Sequence, residues 1–586
     1  MQIKLPNRQH YHPTLLNLDR SRRRFVQGLI GGGVLGSFGW SRQLGATTDS
    51  LLNTNRAEVL SGKEFNLVIE DLPVNFTGKL RIGRAINGSI PAPTLRWVEG
   101  DDIVINVTNR TTEPTALHWH GIILPYQMDG VPGISFNGIA PNETFQYRFR
   151  VQQSGTYWYH AHFGFQEMRG MYGAIVVQPR AGETIKTDRD HVILLSDWTD
   201  ENPDYAFAKL KTKGHLYNFN QPTFPQLLRE IARDGLGSAI SKREMFDVMR
   251  MKPTDLADLS AATLTYLMNG TTPASNATSL FAKGETVRLR VINGAGNTFF
   301  DFRIPDLPMT VVQVDGVDVE PVTCDEFRCA PGETCDVVVR PTEDAYTIFA
   351  ETMERTGYAR GTLALRAGLS AAIPPQREPQ WLSMVDMMGT GSHESGMAAT
   401  GDHASHSMPA VNQPLARHAS SEFGPSTDMR VDTPRTNLDD PGIGLREATH
   451  RVLTYADLHR LQGEVDVRDP GREIELHLTG NMERYSWSVD GLEYGKSTPV
   501  HFRHGERLRV ILHNDTMMTH PLHLHGMWSD LEDENGKFMT RKHILSVQPA
   551  QRMAFRVTAD ALGRWAWHCH LLFHMEAGLM REVVVS

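Results

Sequence analysis

The chain has 586 residues, too many for one hydrophobic core, so its length predicts three or four domains. It is globular in composition, 40% hydrophobic and 22% charged, and its 50 glycines and 32 prolines favour many short strands joined by turns. A net charge of −9 is mild for this size and argues against nucleic acid as a main partner, whereas 25 histidines and 24 methionines are a large stock of metal-binding side chains.

The first element is an export leader over residues 1–46. SRRRFVQ (Ser21 to Gln27) precedes the apolar, glycine-rich GLIGGGVLGSFGW, and a cleavage site follows LGA near Ala46. Paired arginines before a weakly apolar stretch have the form of a twin-arginine signal. The apolar run of about 13 residues falls short of the roughly 20 needed to cross a bilayer. The mature protein is therefore expected to be soluble in the bacterial periplasm, delivered by the twin-arginine export machinery, with no stable membrane span.

Beyond the leader the chain repeats itself. LRWVEGDDIVINVTN from Leu95, SLFAKGETVRLRVIN from Ser279 and VHFRHGERLRVILHN from Val500 align without gaps. Each has Gly sixth (Gly100, Gly284, Gly505) and Asn fifteenth (Asn109, Asn293, Asn514). After the Gly, apolar and polar residues alternate with strand periodicity. A second shared unit follows: GTYWYHAH from Gly155, DAYTIFAE from Asp344 and GRWAWHCH from Gly563. Two markers recurring in one order predict three homologous antiparallel β domains, over about 55–182, 186–368 and 445–586. Two insertions break the pattern. Residues 226–260 read as partly helical, and 376–440, with no aromatic between Trp381 and Phe423, as a mobile Met- and His-containing linker.

The histidines fall in register on the repeat. Nine and eleven residues after the shared Asn stand His118 and His120 in the first domain and His523 and His525 in the third; the second has Phe302 and Ile304. The second marker gives His160 and His162, then His568 and His570, against Phe349 and Glu351 in the middle domain. A lone strand histidine is more often a hydrogen-bonded core residue than a ligand, but four pairs at matched positions point to metal. Residues i and i+2 of a strand face one way, so each pair presents two imidazoles to one side. Converging between the first and third domains, the eight rings can hold several ions. No buried carboxylate is expected beside them, and imidazole-only ligation favours copper or zinc.

Cys569 lies between His568 and His570 and so faces the other way, where it can meet His520 and His574. Two imidazoles and a thiolate form the trigonal set of a blue-copper site; zinc also accepts them. Covalent linkage of Cys569 to two ligands of the larger cluster argues for electron transfer. Cys324, Cys329 and Cys335 cluster in the middle domain, where an oxidising compartment permits one disulfide of unassigned pairing, or a cysteine-only metal site.

HWHG, YHAH, HPLHLHG and HCHLLFH at these separations resemble the motifs of the multicopper oxidases across nearly the whole mature chain. HLHGMWSDLED, RMKPTDLADLS, GNMERYSWSVDG and HCHLLFHMEAG resemble the periplasmic copper resistance branch. The resemblance implies an all-β protein of three cupredoxin-like Greek-key β-sandwich domains, four copper ions, and oxidation of a donor coupled to reduction of dioxygen to water. Carried over by position, it assigns His520, Cys569 and His574 to the type 1 copper and His118 and His523 to the type 2 copper. His120, His160, His162, His525, His568 and His570 fall to the type 3 pair. It makes Asp129, in MDGVPG, an acidic residue that helps move protons; read alone, it is the Asp of an Asp-Gly turn. Leu579 holds the family's axial position, with Met580 one residue later, and a regular strand would turn Met580 away and leave the copper without an axial sulfur. Phe573 stands where some relatives carry a proton-relaying Glu.

The donor must give electrons singly, as Cu(I), a phenol or an organic dye can. Met384, Met387, Met388, His393, Met397, His403, His406 and Met408 crowd one stretch of the second insertion. Thioethers suit Cu(I), so this stretch is expected to collect copper, against the plainer reading of a linker. The leading expectation is a copper oxidase contributing to copper resistance. The alternatives are a laccase-like phenol oxidase and a copper-sequestering protein.

Overall fold

The computed structural model describes residues 57–219, 223–248, 252–389 and 416–586. The leader assigned to 1–46 lies outside the described residues, as does the middle of the second insertion. In each repeat the shared glycine turns the chain at a φ of +82°, +87° or +80°, a left-handed conformation that a side chain resists. The strand that follows ends on the shared asparagine: Asp102–Asn109, Val287–Asn293 and Arg507–Asn514. In the first of these Ile103, Ile105 and Val107 are buried while alternate residues face outward.

The three asparagines do the same work. Asn109 Nδ2 donates to the carbonyls of Glu113 (2.8 Å) and Ile139 (2.9 Å). Asn293 Nδ2 donates to Thr298 (2.9 Å) and Cys329 (2.8 Å), and Asn514 Nδ2 to Met518 and Val547, both at 2.8 Å. A buried amide with both protons satisfied clamps the turn leading into the next strand, the one that carries the first histidine pair in the outer repeats.

Each repeat builds two sheets. In the first, the strands Val59–Ser61, Ala92–Val98, Tyr172–Gln178, Gly155–Ala161 and Leu117–His120 lie side by side in that order. The third repeats the pattern with Val500–Phe502, Met580–Val585, Gly563–Cys569 and His520–Leu524, and adds Ile544–Val547 at the edge. Register is matched as well: His118 pairs with His160 and His523 with His568. In the middle repeat Phe302 pairs with Ala350 rather than Phe349, one residue out of step. There Asp301, Glu326 and Glu351 are fully buried among Arg303, Arg328, Arg355 and Arg377.

Buried ion pairs fasten the middle repeat to its neighbours. Arg290 Nη1 lies 2.9 Å from Asp336 Oδ2 and 3.0 Å from Thr156 Oγ1 of the strand bearing His160. Lys542 Nζ lies 2.9 Å from Asp315 Oδ2 and 3.2 Å from Glu333 Oε1, and Asp315 also accepts from the Ile544 amide at 3.2 Å. Deleting one partner of such a pair costs about 3–5 kcal/mol.

Two expectations change here, whereas the first insertion is partly helical as expected: Phe224–Asp234 starts on a capping box of Thr223 and Gln226, Leu236–Val248 follows, and residues 252–260 run as turns and bends without a helix. A further helix, Pro203–Thr212, starts from the Asn202 cap with Pro at its first position. Both described ends of the 376–440 segment are pinned. Arg377 pairs with Glu326 and Glu351, Asp386 pairs with Arg446, and Met429 and Val431 are buried. Composition gave no sign of this, because the anchors are charged and their partners distant in sequence. Finally, Cys324, Cys329 and Cys335 are all buried free thiols, so the permitted disulfide is not formed. Burial pushes Cys324 up to about 12 and the other two well above the ordinary thiol range.

Candidate metal centres

The four His-x-His pairs converge. His118, His120 and His523 form one group with donor atoms within 4.8 Å of one another; His120, His160 and His570 form a second, and His162, His525 and His568 a third. All eight are buried except His162, which is half-buried. His120 stacks on His523 at 3.9 Å between ring centroids, and His118 lies tilted against His525 at 4.0 Å.

Outer partners fix which nitrogen faces inward. His118 Nδ1–H donates to the Asp129 carbonyl (2.7 Å), His523 Nδ1–H to the His543 carbonyl (2.8 Å) and His568 Nδ1–H to the Cys569 carbonyl (2.9 Å). His525 Nδ1–H donates to Asp129 Oδ2 (2.9 Å), and His160 Nδ1 lies 2.6 Å from Glu167 Oε2. With Nδ1 protonated, each Nε2 bears a lone pair. His525 and His568 bring Nε2 atoms within 3.0 Å, and His162 and His568 within 3.3 Å. The Nε2 atoms of His118, His160 and His523, and both nitrogens of His120 and His570, have no hydrogen-bond partner despite burial. Burial and the neighbouring rings hold His120, His523, His525 and His570 well below the ordinary imidazole value, and burial brings His568 down to about 3. Neutral lone pairs pointed together in a dry site are what metal cations satisfy, so the residues fit a cluster of copper ions.

The expectation of no nearby carboxylate is overturned. Asp129 and Glu167 are buried at the cluster, but they meet Nδ1 atoms and orient ligands rather than supplying them. Asp129 reaches its place through Gly130, whose φ is +82° and where a Cβ would sit 1.8 Å from the Leu117 carbonyl oxygen. Glu167 escapes sequence reading because it lies in a turn outside the repeat. A cavity of about 10 Å³, room for one water-sized molecule, lies among His160, His162, Glu167, His568 and His570. His543, also unexpected, is buried 4.8 Å from the His120 ring.

Across the strand, Cys569 Sγ is 3.5 Å from His520 Nδ1 and 3.9 Å from His574 Nδ1, and the two Nδ1 atoms are 3.1 Å apart. Thr516 Oγ1 holds His520 Nε2 at 2.7 Å, and Asp258 Oδ2 holds His574 Nε2 at 2.9 Å. Trp487 stacks on His574 at 4.0 Å. Asp258 and Thr516 thereby aim both Nδ1 atoms at the sulfur. Leu579 is fully buried and its carbonyl accepts from the Cys569 amide, whereas Met580 packs with Val131, Ile134, Ala566 and Met575 in a separate apolar cluster. Phe573 is buried against Phe165 and Phe207.

The thioethers of the second insertion are divided. Met384–Met388 is one short helix in which Met387 is fully buried in the core and Met388 half-buried against it, so packing rather than a solvent-facing thioether explains Met387. His393, Met397, His403, His406 and Met408 lie outside the described residues.

Three family models described as multicopper oxidase match residues 69–182, 189–367 and 468–586. The chain is 51% identical to copper resistance protein A of Escherichia coli, over 97% of this chain and 100% of that protein. It is 28% identical to the multicopper oxidase MmcO of Mycobacterium tuberculosis, over 95% and 96% of the two. Among solved structures, the laccase of Botrytis aclada aligns with a TM-score of 0.60 at 20% identity, over 91% of this chain and 89% of that one. A Campylobacter jejuni multicopper oxidase aligns at 0.54 and 16%, over 91% and 96%.

Proposed function

The chain belongs to the multicopper oxidase family, and on that premise we propose that it is a periplasmic oxidase that takes single electrons from a donor, chiefly Cu(I), and reduces dioxygen to water, contributing to copper resistance. The observation that carries the reading is the union of eight inward-facing imidazoles from the two outer repeats, two of them flanking Cys569. In this reading His520, Cys569 and His574 hold a type 1 copper, His118 and His523 a type 2 copper, and His120, His160, His162, His525, His568 and His570 a type 3 pair. When bound, copper supplies one-electron steps between its two oxidation states, so four ions together can deliver the four electrons dioxygen needs.

The chain's residues do the rest. Cys569 would hold the type 1 copper through its sulfur, and its backbone bonds to His568 and His570 give an electron a covalent path to the larger cluster. Its link to His568 is reinforced by the 2.9 Å hydrogen bond from His568 Nδ1 to the Cys569 carbonyl. Asp129 keeps His525 in one tautomer and offers Oδ1 and Oδ2 as proton-carrying atoms beside the cluster. Glu167 orients His160. Burial excludes bulk water from the reduction site. Phe573 carries no proton, so none is relayed at that position. The domains are read as 55–182, 186–368 and 445–586. The leader 1–46 is read as directing twin-arginine export, and no helix among the described residues is long and apolar enough to cross a membrane. Copper as the donor is supported by relatives named copper resistance protein A, and Cu(I) in particular by the thioethers of the second insertion other than the core-packed Met387.

Copper content, the visible spectrum and oxygen uptake test this together. The loaded protein should hold about four coppers, show a blue band, and consume one dioxygen per four Cu(I) oxidised. Cys569→Ser should abolish the blue band and turnover; unchanged turnover would overturn the proposal. Cu(I) and phenol oxidation with and without residues 390–408 separates the cuprous oxidase from a laccase. Full copper tolerance in cells carrying Cys569→Ser would mean sequestration instead.

A further inference from the structure

A fifth donor cluster lies apart from these sites: His418, Glu422, His477 and Asp515, with one donor atom from each within 4.8 Å of the others. It joins two pieces of chain. His418 and Glu422 belong to the segment entering after the second insertion, Glu422 within the turn Ser420–Phe423. His477 sits on the strand Arg472–Asn481, and Asp515 directly follows the neighbouring parallel strand Arg507–Asn514.

The four atoms form a ring. His418 Nδ1 is 2.7 Å from Glu422 Oε2 and 3.5 Å from Asp515 Oδ2; His477 Nδ1 is 2.7 Å from Asp515 Oδ2 and 3.5 Å from Glu422 Oε2. Tetrahedral ligands about 2.0–2.1 Å from a metal stand about 3.3–3.4 Å apart, between the two observed edges. The second oxygen of each carboxylate is already used: Glu422 Oε1 accepts from the Ala419 amide at 2.9 Å and Asp515 Oδ1 from the Val431 amide at 3.0 Å. Backbone N–H groups thus aim the free oxygens into the ring, as outer partners do at metal sites.

Charge points the same way. Glu422 and Asp515 are almost fully buried. Without a metal, protons must offset them, either on the carboxylates themselves or on two imidazoles whose ring centroids are 5.0 Å apart, with a third ring, His513, stacked on His477 at 4.4 Å and 5°. One divalent cation balances two carboxylates and leaves the rings neutral.

We propose that His418, Glu422, His477 and Asp515 form an additional divalent-metal site of N2O2 donors, suited to Zn2+ or Cu2+, that fastens the segment after the second insertion to the strands Arg472–Asn481 and Arg507–Asn514 of the third repeat. Mixed imidazole and carboxylate ligands select borderline transition cations over magnesium or calcium.

The test uses the copper-loaded full chain, incubated with Zn2+ or, in a parallel arm, further Cu2+, then freed of unbound metal and analysed for metal content. About one extra ion per chain should be retained, and thermal unfolding should move upward with it. His418→Ala should weaken retention at least about ten-fold, since losing even an outer partner does that, while the blue band and the original copper stay unchanged. Glu422→Gln, nearly isosteric, should do the same, and it decides the matter if His418→Ala also loses the blue band through misfolding. Removal of residues 390–408 should leave retention intact. The proposal fails if the parent chain retains no extra ion, if Glu422→Gln retains it undiminished, or if retention disappears with residues 390–408.

Discussion

Asp258→Ala tests how far the orientation of a ligand depends on a residue that never touches the metal. Asp258 is buried, and its Oδ2 stands 2.9 Å from His574 Nε2, the nitrogen turned away from Cys569. Truncation leaves the buried imidazole nitrogen with no carboxylate facing it, and losing a buried polar partner costs about 1–3 kcal/mol. Independently, removing the outer partner of a metal-bound histidine lowers affinity about 10–100-fold, which is about 1.4–2.8 kcal/mol at about 1.4 kcal/mol per decade. The two routes agree. The assay is chelator competition against the copper-loaded protein, followed by the blue band. The Asp258→Ala midpoint should fall by one to two decades in chelator concentration while copper in the eight-imidazole cluster resists as before. Asp258→Asn, which keeps a carbonyl oxygen at the same place, should lose less. If Asp258→Ala holds its colour to the same chelator concentration as the parent, the Asp258 carboxylate does not position His574.

Gly130→Ala should destabilise the fold by at least about 1–2 kcal/mol from backbone strain alone, with more from the contact with Leu117, and should reduce copper retention in the cluster through Asp129; thermal unfolding and metal analysis read both. Leu579→Met should lower the reduction potential of the blue site, because a stronger axial donor disfavours Cu(I); a redox titration giving an unchanged potential would remove Leu579 from the axial position. For acid stability, the Arg189 guanidinium, 2.7 Å from Glu285 and hydrogen-bonded to it, holds that carboxyl down to about 2 from an ordinary 4.5. A depressed carboxylate contributes fully above the ordinary value and loses its contribution as pH falls from about 4.5 through about 2. Melting curves of Glu285→Gln should therefore converge on those of the parent across that window, and a constant gap would contradict the linkage.

The repeat made much of the metal chemistry legible. An asparagine clamp at a fixed place, then histidine pairs at fixed offsets, is visible to alignment because duplication preserved both. Cys569 was legible for a similar reason, since strand alternation dictates which neighbours share its face. Asp258, Glu167 and Thr516 were not, because a residue that orients a ligand needs only to arrive from somewhere, and these arrive from a turn-rich insertion and from loops without periodicity. Arg377 and Asp386 show the same blindness at larger scale. Composition marked their segment as a linker, yet single ion pairs to Glu326, Glu351 and Arg446 pin it. The free thiols follow from strand placement, which a count of cysteines does not contain.

The middle repeat, which lacks the His-x-His pairs, grips both ligand-bearing units through contacts sealed from water, a hydrogen bond from Arg290 to Thr156 on one flank and the Lys542–Asp315 pair with the Ile544 amide on the other. It behaves as a splint set across a joint. Substitutions at Asp336, Asp315 or Lys542 would change how the imidazoles meet without altering any of them, so tuning of the redox centre is as open to remote variation in this ligandless third as to changes among the ligands.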